Sequence, residues 1–124
     1  MHTTFDDLPL EMQVGDDLVA RGIDWGGISA RALRLPAGTD LRPLLAGLPG
    51  DRCSCPHWGY VLEGSITVRY EDGTEETTSA GQLYYWPGGH TGWTDGGVTF
   101  VEFSPADEIA PVLSHLAAQV AAAG

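Results

Sequence analysis

Basic residues are scarce in this 124-residue chain: six Lys and Arg together stand against 17 Asp and Glu, a formal net charge of −11. Nucleic acid and anionic membrane surfaces both require a basic footprint, so neither is expected as a partner. Long apolar runs are also missing, since no stretch approaches the ~20 apolar residues that a spanning helix needs. The N-terminus shows no charged region followed by an apolar one, the pattern that directs secretion. A cytoplasmic location is the resulting expectation. No segment repeats at solenoid length. Cysteine occurs twice, at Cys53 and Cys55, and in a reducing compartment such a pair points to ligand or redox use before a structural disulfide.

What is present suits one turn-rich, mainly β domain. The chain is 43% hydrophobic, too apolar for disorder, and carries 17 Gly and 8 Pro. Residues 1–13 (MHTTFDDLPLEMQ) have no period and read as an N-terminal arm. From Val14 a short strand runs into a Gly-punctuated turn, and Ile28–Leu35 alternates weakly and stops at Pro36. A long connection follows. GYVLEGSITVRY then leads to a hairpin turn at Glu71-Asp72-Gly73, and further strands are separated by Gly81 and by Thr94-Asp95-Gly96-Gly97. The last strand is Val98–Ser104, which closes a barrel spanning 14–104. In the tail, Ser104 is placed to cap a helix with Pro105 at its first position and Asp107 three residues after the cap. Ile109, Val112, Leu113, Leu116 and Val120 recur at helical spacing over 105–124, with Pro111 able to delay the start. The expected fold is all-β, a small barrel closed by one C-terminal helix.

The stretch CSCPHWGYVLEGSITV, from Cys53, carries the chemistry. Cys53, Cys55 and His57 share a face if the stretch is extended. A disulfide is disfavoured, because residues i and i+2 of a strand lie roughly 6.6 Å apart while bonded cysteines want Cβ atoms about 3.5–4.5 Å apart. A metal ion is less demanding, with donors about 2.0–2.3 Å away. Cys55 and His57 converge on one ion easily, and Cys53 and Cys55 nearly so. Cys53 and His57 do so only if the chain bends, for which Pro56 is the obvious place. His90 would complete the set from a facing strand. Two thiolates and two imidazoles favour Zn²⁺, with iron the alternative. The competing reading makes the cysteines small buried hydrophobes and His57 a hydrogen-bonded core residue.

Two motifs in this region resemble the cupin superfamily: Val61-Leu62-Glu63-Gly64 followed by SITV, and Gly81-Gln82-Leu83-Tyr84-Tyr85-Trp86-Pro87-Gly88-Gly89-His90. The likeness covers roughly residues 50–104 and is similar to small single-domain bacterial cupins. It implies a double-stranded β-barrel (a jelly roll) whose interior often holds a metal on three histidines and a glutamate. This chain departs from that set. Counting back from Val61, the glutamate position holds His57 and the two histidine positions hold Asp51 and Cys53. The histidine of the second motif falls on Gly92, two residues beyond His90.

Trp58, Tyr60, Tyr84, Trp86, Trp93 and Phe100 cluster around the motifs and are candidate walls of a pocket for a small organic molecule. Glu102 shares a strand face with Val98 and Phe100. Facing inward it would be a ligand, a partner of His90 or a catalytic general base; facing outward, the reading preferred on sequence, it is a surface acid. His2 and His115 are assigned to solvent. Three functions remain open: a metal-dependent enzyme of undefined reaction, if three protein ligands leave a position free; a zinc or redox sensing module, if four close the site; or a metal-free barrel that binds an organic ligand among the tryptophans. The resemblance implies pairing through the outer sheets, and the apolar stripe of the C-terminal helix could also be buried between subunits, so a homodimer is the expected assembly.

Overall fold

The computed structural model describes residues 1–123. Its strands are β1 (Leu10–Val14), β2 (Leu18–Trp25), β3 (Ile28–Leu35), β4 (His57–Tyr70), β5 (Glu75–Ser79), β6 (Leu83–Trp86), β7 (His90–Trp93) and β8 (Val98–Pro105). Helix α1 (Arg42–Leu45) and a 3₁₀ turn (Pro49–Asp51) lie in the long connection, and α2 (Ala106–Ala123) ends the chain. All named strand pairs are antiparallel.

Strand β4 belongs to two sheets. Its first half pairs with β6 and β8, extending a sheet that runs through β3 and β2 to β1, and its second half pairs with β5 and β7. Between the halves the register with β8 slips between Val61 and Glu63. A one-residue bulge exchanges the faces of a strand. Accordingly His57 and Val61 point inward before it, and Ile66 and Val68 point inward after it. Gly64 follows the bulge with φ +72, where a Cβ would sit 2.0 Å from the Gly97 carbonyl oxygen. Only glycine fits there, which explains the glycine of the VLEG motif.

Leu35, Val61, Ile66, Val68, Trp86, Val98 and Phe100 form the barrel core. A second cluster joins Cys53, Cys55 and Leu45 to Ile109 and Val112 of α2. This helix caps one end of the barrel, as its apolar period requires.

Four local expectations are revised. The arm's last residues, from Leu10, are a sheet strand paired with β2, and Leu8 is buried. Strand β8 runs through Pro105, so Ser104 is a strand residue rather than a helix cap. Helix α2 begins at Ala106 despite Pro111, its first N–H held by the Gly27 carbonyl at 2.9 Å. His115 is not a solvent residue: its Nε2 lies 2.8 Å from the Ala46 carbonyl oxygen, tying α2 to the loop after α1.

Candidate metal centre

Cys53, His57 and His90 bring one donor atom each to within 4.8 Å of one another, and all three are buried. Each arrives by a different route. His90 begins β7. Cys53 is bridged to it, with the Cys53 N–H donating to the His90 carbonyl at 2.9 Å and the His90 N–H returning to Cys53 at 3.3 Å. The chain then leaves β7, bends through Ser54–Pro56 and joins the other sheet at His57. This bend brings the Cys53 Sγ to 3.5 Å from His57 Nε2. The Pro-Gly turn is pressed against it: a Cβ on Gly88 would lie 2.2 Å from the Ser54 carbonyl oxygen.

Both imidazoles are held at their other nitrogen. His90 Nδ1 lies 2.8 Å from the Pro87 carbonyl oxygen, an acceptor only, so Nδ1 carries the proton and Nε2 keeps its lone pair. His57 Nδ1 lies 2.6 Å from Ser104 Oγ and 3.8 Å from a Glu102 carboxylate oxygen. With Nδ1–H donating on that side, His57 Nε2 is also free toward Cys53. Fixing one ring nitrogen to aim the other is how metal-binding histidines are commonly oriented.

Burial sets the protonation states of the metal-free site. It pushes the Cys53 thiol up to about 12. Burial, reinforced by neighbouring His57, pulls His90 down to about 4. At neutral pH His90 is therefore an uncharged donor, and Cys53 is a thiol that releases its proton to solvent when a cation binds the sulfur. A tetrahedral ion with Zn-like bond lengths separates its nitrogen and sulfur donors by about 3.3–3.8 Å. The 3.5 Å between Cys53 and His57 matches that spacing, and the donor set is a soft, borderline one suited to a divalent transition metal.

Cys55 does not join this group. It is buried, but its Sγ donates to the Pro56 carbonyl at 3.4 Å and it packs with Ile109 and Val112 under α2. The bend that draws Cys53 toward His57 breaks the alternation that would have kept Cys55 beside them. The two cysteines are both free thiols.

Glu102 corrects the outward reading. It is 5% exposed and faces inward, because Val98, Phe100, Glu102 and Ser104 share the buried face of β8. Its Oε1 accepts a hydrogen bond from Arg31 Nη1 at 3.1 Å, so the buried charge is paired. Arg31 was missed in the sequence because β3 alternates too weakly to show which face is inner.

A cavity of about 110 Å³ lies against this cluster, bounded by Cys53, His57, His90, Arg31 and Glu102. Elsewhere it is apolar, with Leu18, Leu33, Leu44, Ile66 and Leu116 among its walls. Of the six aromatic candidates, Trp86 and Phe100 border it. Tyr84 is in the core, its hydroxyl donating to the Val101 carbonyl at 2.9 Å. Trp93 stacks under the Arg42 guanidinium, 4.6 Å from ring centroid to Cζ. Trp58 and Tyr60 are 47% and 37% exposed on the outer face, since strand alternation gives the inner positions to His57, Gly59 and Val61.

No family model matches the chain, and no curated protein matches it by sequence. Solved structures do. Protein NMB1881 from Neisseria meningitidis aligns over 69% of this chain and 81% of its own, with 16% identity and TM-score 0.53. A putative ethanolamine utilization protein Q from Salmonella typhimurium aligns over 72% and 70%, with 18% identity and TM-score 0.55. Oxalate decarboxylase of Bacillus subtilis, a protein described with Mn(II) centres, aligns over 83% of this chain but 28% of its own, with 19% identity and TM-score 0.59. The chain thus spans under a third of that last protein. Likeness at these identities establishes architecture, and the architecture is the cupin-type double-stranded β-barrel that the two sequence motifs imply.

Proposed function

We propose that this protein is a metal-binding cupin barrel that takes a small organic molecule into the cavity beside the ion. The observation that carries the reading is the convergence of Cys53 Sγ and two imidazoles with their Nδ1 atoms already engaged. Zn²⁺ suits one thiolate and two nitrogens best, with iron the alternative. Three protein donors leave a position for water or a ligand, and such an ion would polarise a carbonyl or activate water. The small apolar cavity would admit a molecule of roughly benzene size or smaller, judged against a 150 Å³ cavity that holds benzene. Glu102 is the candidate general base, its carboxylate bordering the cavity and steadied by Arg31.

The closed, sensing arrangement needs a fourth protein donor. With Cys53, His57 and His90 together, that donor would have to be Cys55, and its place under α2 favours the open reading. Elemental analysis of purified wild type and of Cys53→Ser and His90→Ala variants tests the proposal. About one metal per chain in the wild type, lost in both variants, is expected; equal metal content in all three would overturn it.

A further inference from the structure

On the opposite face of β7 from the metal centre, three of the chain's six basic residues surround one surface cleft of about 300 Å³: Arg42, Arg52 and Arg69. The placement follows from strand register. Thr91 pairs with Arg69 of β4, and the Cys53–His90 bridge sets Arg52 beside Thr91 on its other side. Cys53 and His90 face inward, so Arg52, Thr91 and Arg69 form one lateral row facing out, with Thr91 in the middle.

Two donors in this row have no acceptor. Thr91 is 6% exposed and its Oγ1 is buried without a hydrogen-bond partner among the described residues, as is Arg52 Nε. Arg52 Nη1 donates to the Gly50 carbonyl at 2.9 Å, and Arg52 has no carboxylate partner among the described residues. Arg69 meets Glu75 only at 3.7 Å in an exposed pair, whereas Arg42 is committed to Asp40 by two nitrogens. Asp51 and Glu71 also border the cleft, and Asp51 Oδ1 accepts the Gly47 N–H. A hydroxyl flanked by two guanidinium groups, in a chain of net charge −11, calls for an acceptor-only ligand with several oxygens.

We propose that this cleft binds a phosphoryl group, as inorganic phosphate or a phosphomonoester, through Arg52, Arg69 and the Thr91 hydroxyl. A tetrahedral dianion has more oxygens and more charge than a carboxylate to divide among the two guanidinium groups and the hydroxyl between them. The site is independent of the metal centre and stands or falls separately from it.

The test is titration of the full ¹⁵N-labelled chain with inorganic phosphate, phenyl phosphate and acetate at matched ionic strength. Wild type, Arg52→Gln and the near-isosteric Thr91→Val are compared. Saturable amide shifts around residues 52, 69 and 91 are expected with phosphate, weakened about tenfold or more in each variant, the loss of one hydrogen bond to a charged group. Tighter binding of phenyl phosphate would assign the site to phosphomonoesters, and equal binding to the free ion; either supports the proposal. No saturable shift, the same affinity in both variants, or acetate binding as tightly as phosphate would overturn it.

Discussion

His57 Nε2 and Cys53 Sγ lie 3.5 Å apart although the residues are four positions apart in sequence. A regular strand would hold such residues about 13 Å apart. The contact exists because Cys53 is pinned to β7 while His57 opens β4 in the other sheet, and the intervening turn brings the two sheets' side chains together. If this junction is a metal site, His57→Ala should reduce metal content to background while far-ultraviolet circular dichroism still reports the barrel. Metal retained at the wild-type level would remove His57 from the ligand set.

The Arg31–Glu102 pair is buried on both sides, with side chains 5% and 6% exposed. Breaking it alone leaves a carboxylate without its cation, so Arg31→Met should cost about 3–5 kcal/mol in urea unfolding. Arg31→Met combined with Glu102→Gln removes both charges and should recover most of that loss. A single variant as stable as wild type would mean that Glu102 draws its compensation from elsewhere.

Stability of the metal-free protein should peak between about pH 6.5 and 9. Below that range the unfolded chain protonates His90 at its ordinary value while the folded one waits until about 4, so U binds more protons and stability falls as pH drops. Above it, the unfolded thiols ionise near 9 while folded Cys53 and Cys55 hold their protons to about 12 and 11, so stability falls as pH rises. Urea midpoints across pH 4–11 measure this, with an expected slope on each limb of roughly 1 kcal/mol per pH unit for each proton involved. A flat profile would contradict the assigned burial.

Phe103, Trp58 and Tyr85 lie side by side across β8, β4 and β6, with Val101, Tyr60 and Leu83 in the next row. Leu83 is 82% exposed, and Trp58 stacks on Tyr85 with ring centroids 5.1 Å apart. This uncharged face on an acidic chain suits a two-fold homodimer, in which one patch packs against its own copy. Light scattering is expected to give a dimer for wild type and a monomer for Leu83→Glu; a monomeric wild type would leave the face to another partner.

Much of the architecture was legible from residues alone. Ile28–Leu35 is a strand with the bounds its alternation and Pro36 indicate, and the turns at Gly73 and Gly81 fall where Asp-Gly and Gly signals place them. What escaped was set by long-range geometry. The bulge after Val61 decides which aromatics face inward, and no local pattern announces it. The bend at Ser54–Pro56 brings Cys53 to His57 and turns Cys55 away, although on a regular strand Cys55 is the nearer partner. Ser104 read as a helix cap because Pro105 follows it, yet pairing with β3 carries the strand one residue further and turns the hydroxyl toward His57. Glu102 was ambiguous because β8 is apolar on both faces, and the partner that settles it, Arg31, is 71 residues away.

X-ray absorption at the edge of the metal that copurifies with the chain tests the central claim most directly. The account predicts one sulfur at about 2.3 Å and two imidazole nitrogens at about 2.0–2.1 Å, with a remaining light-atom neighbour from water or ligand. A first shell with two sulfurs would bring Cys55 back into a closed site, and a shell with none would contradict a Cys53-ligated centre.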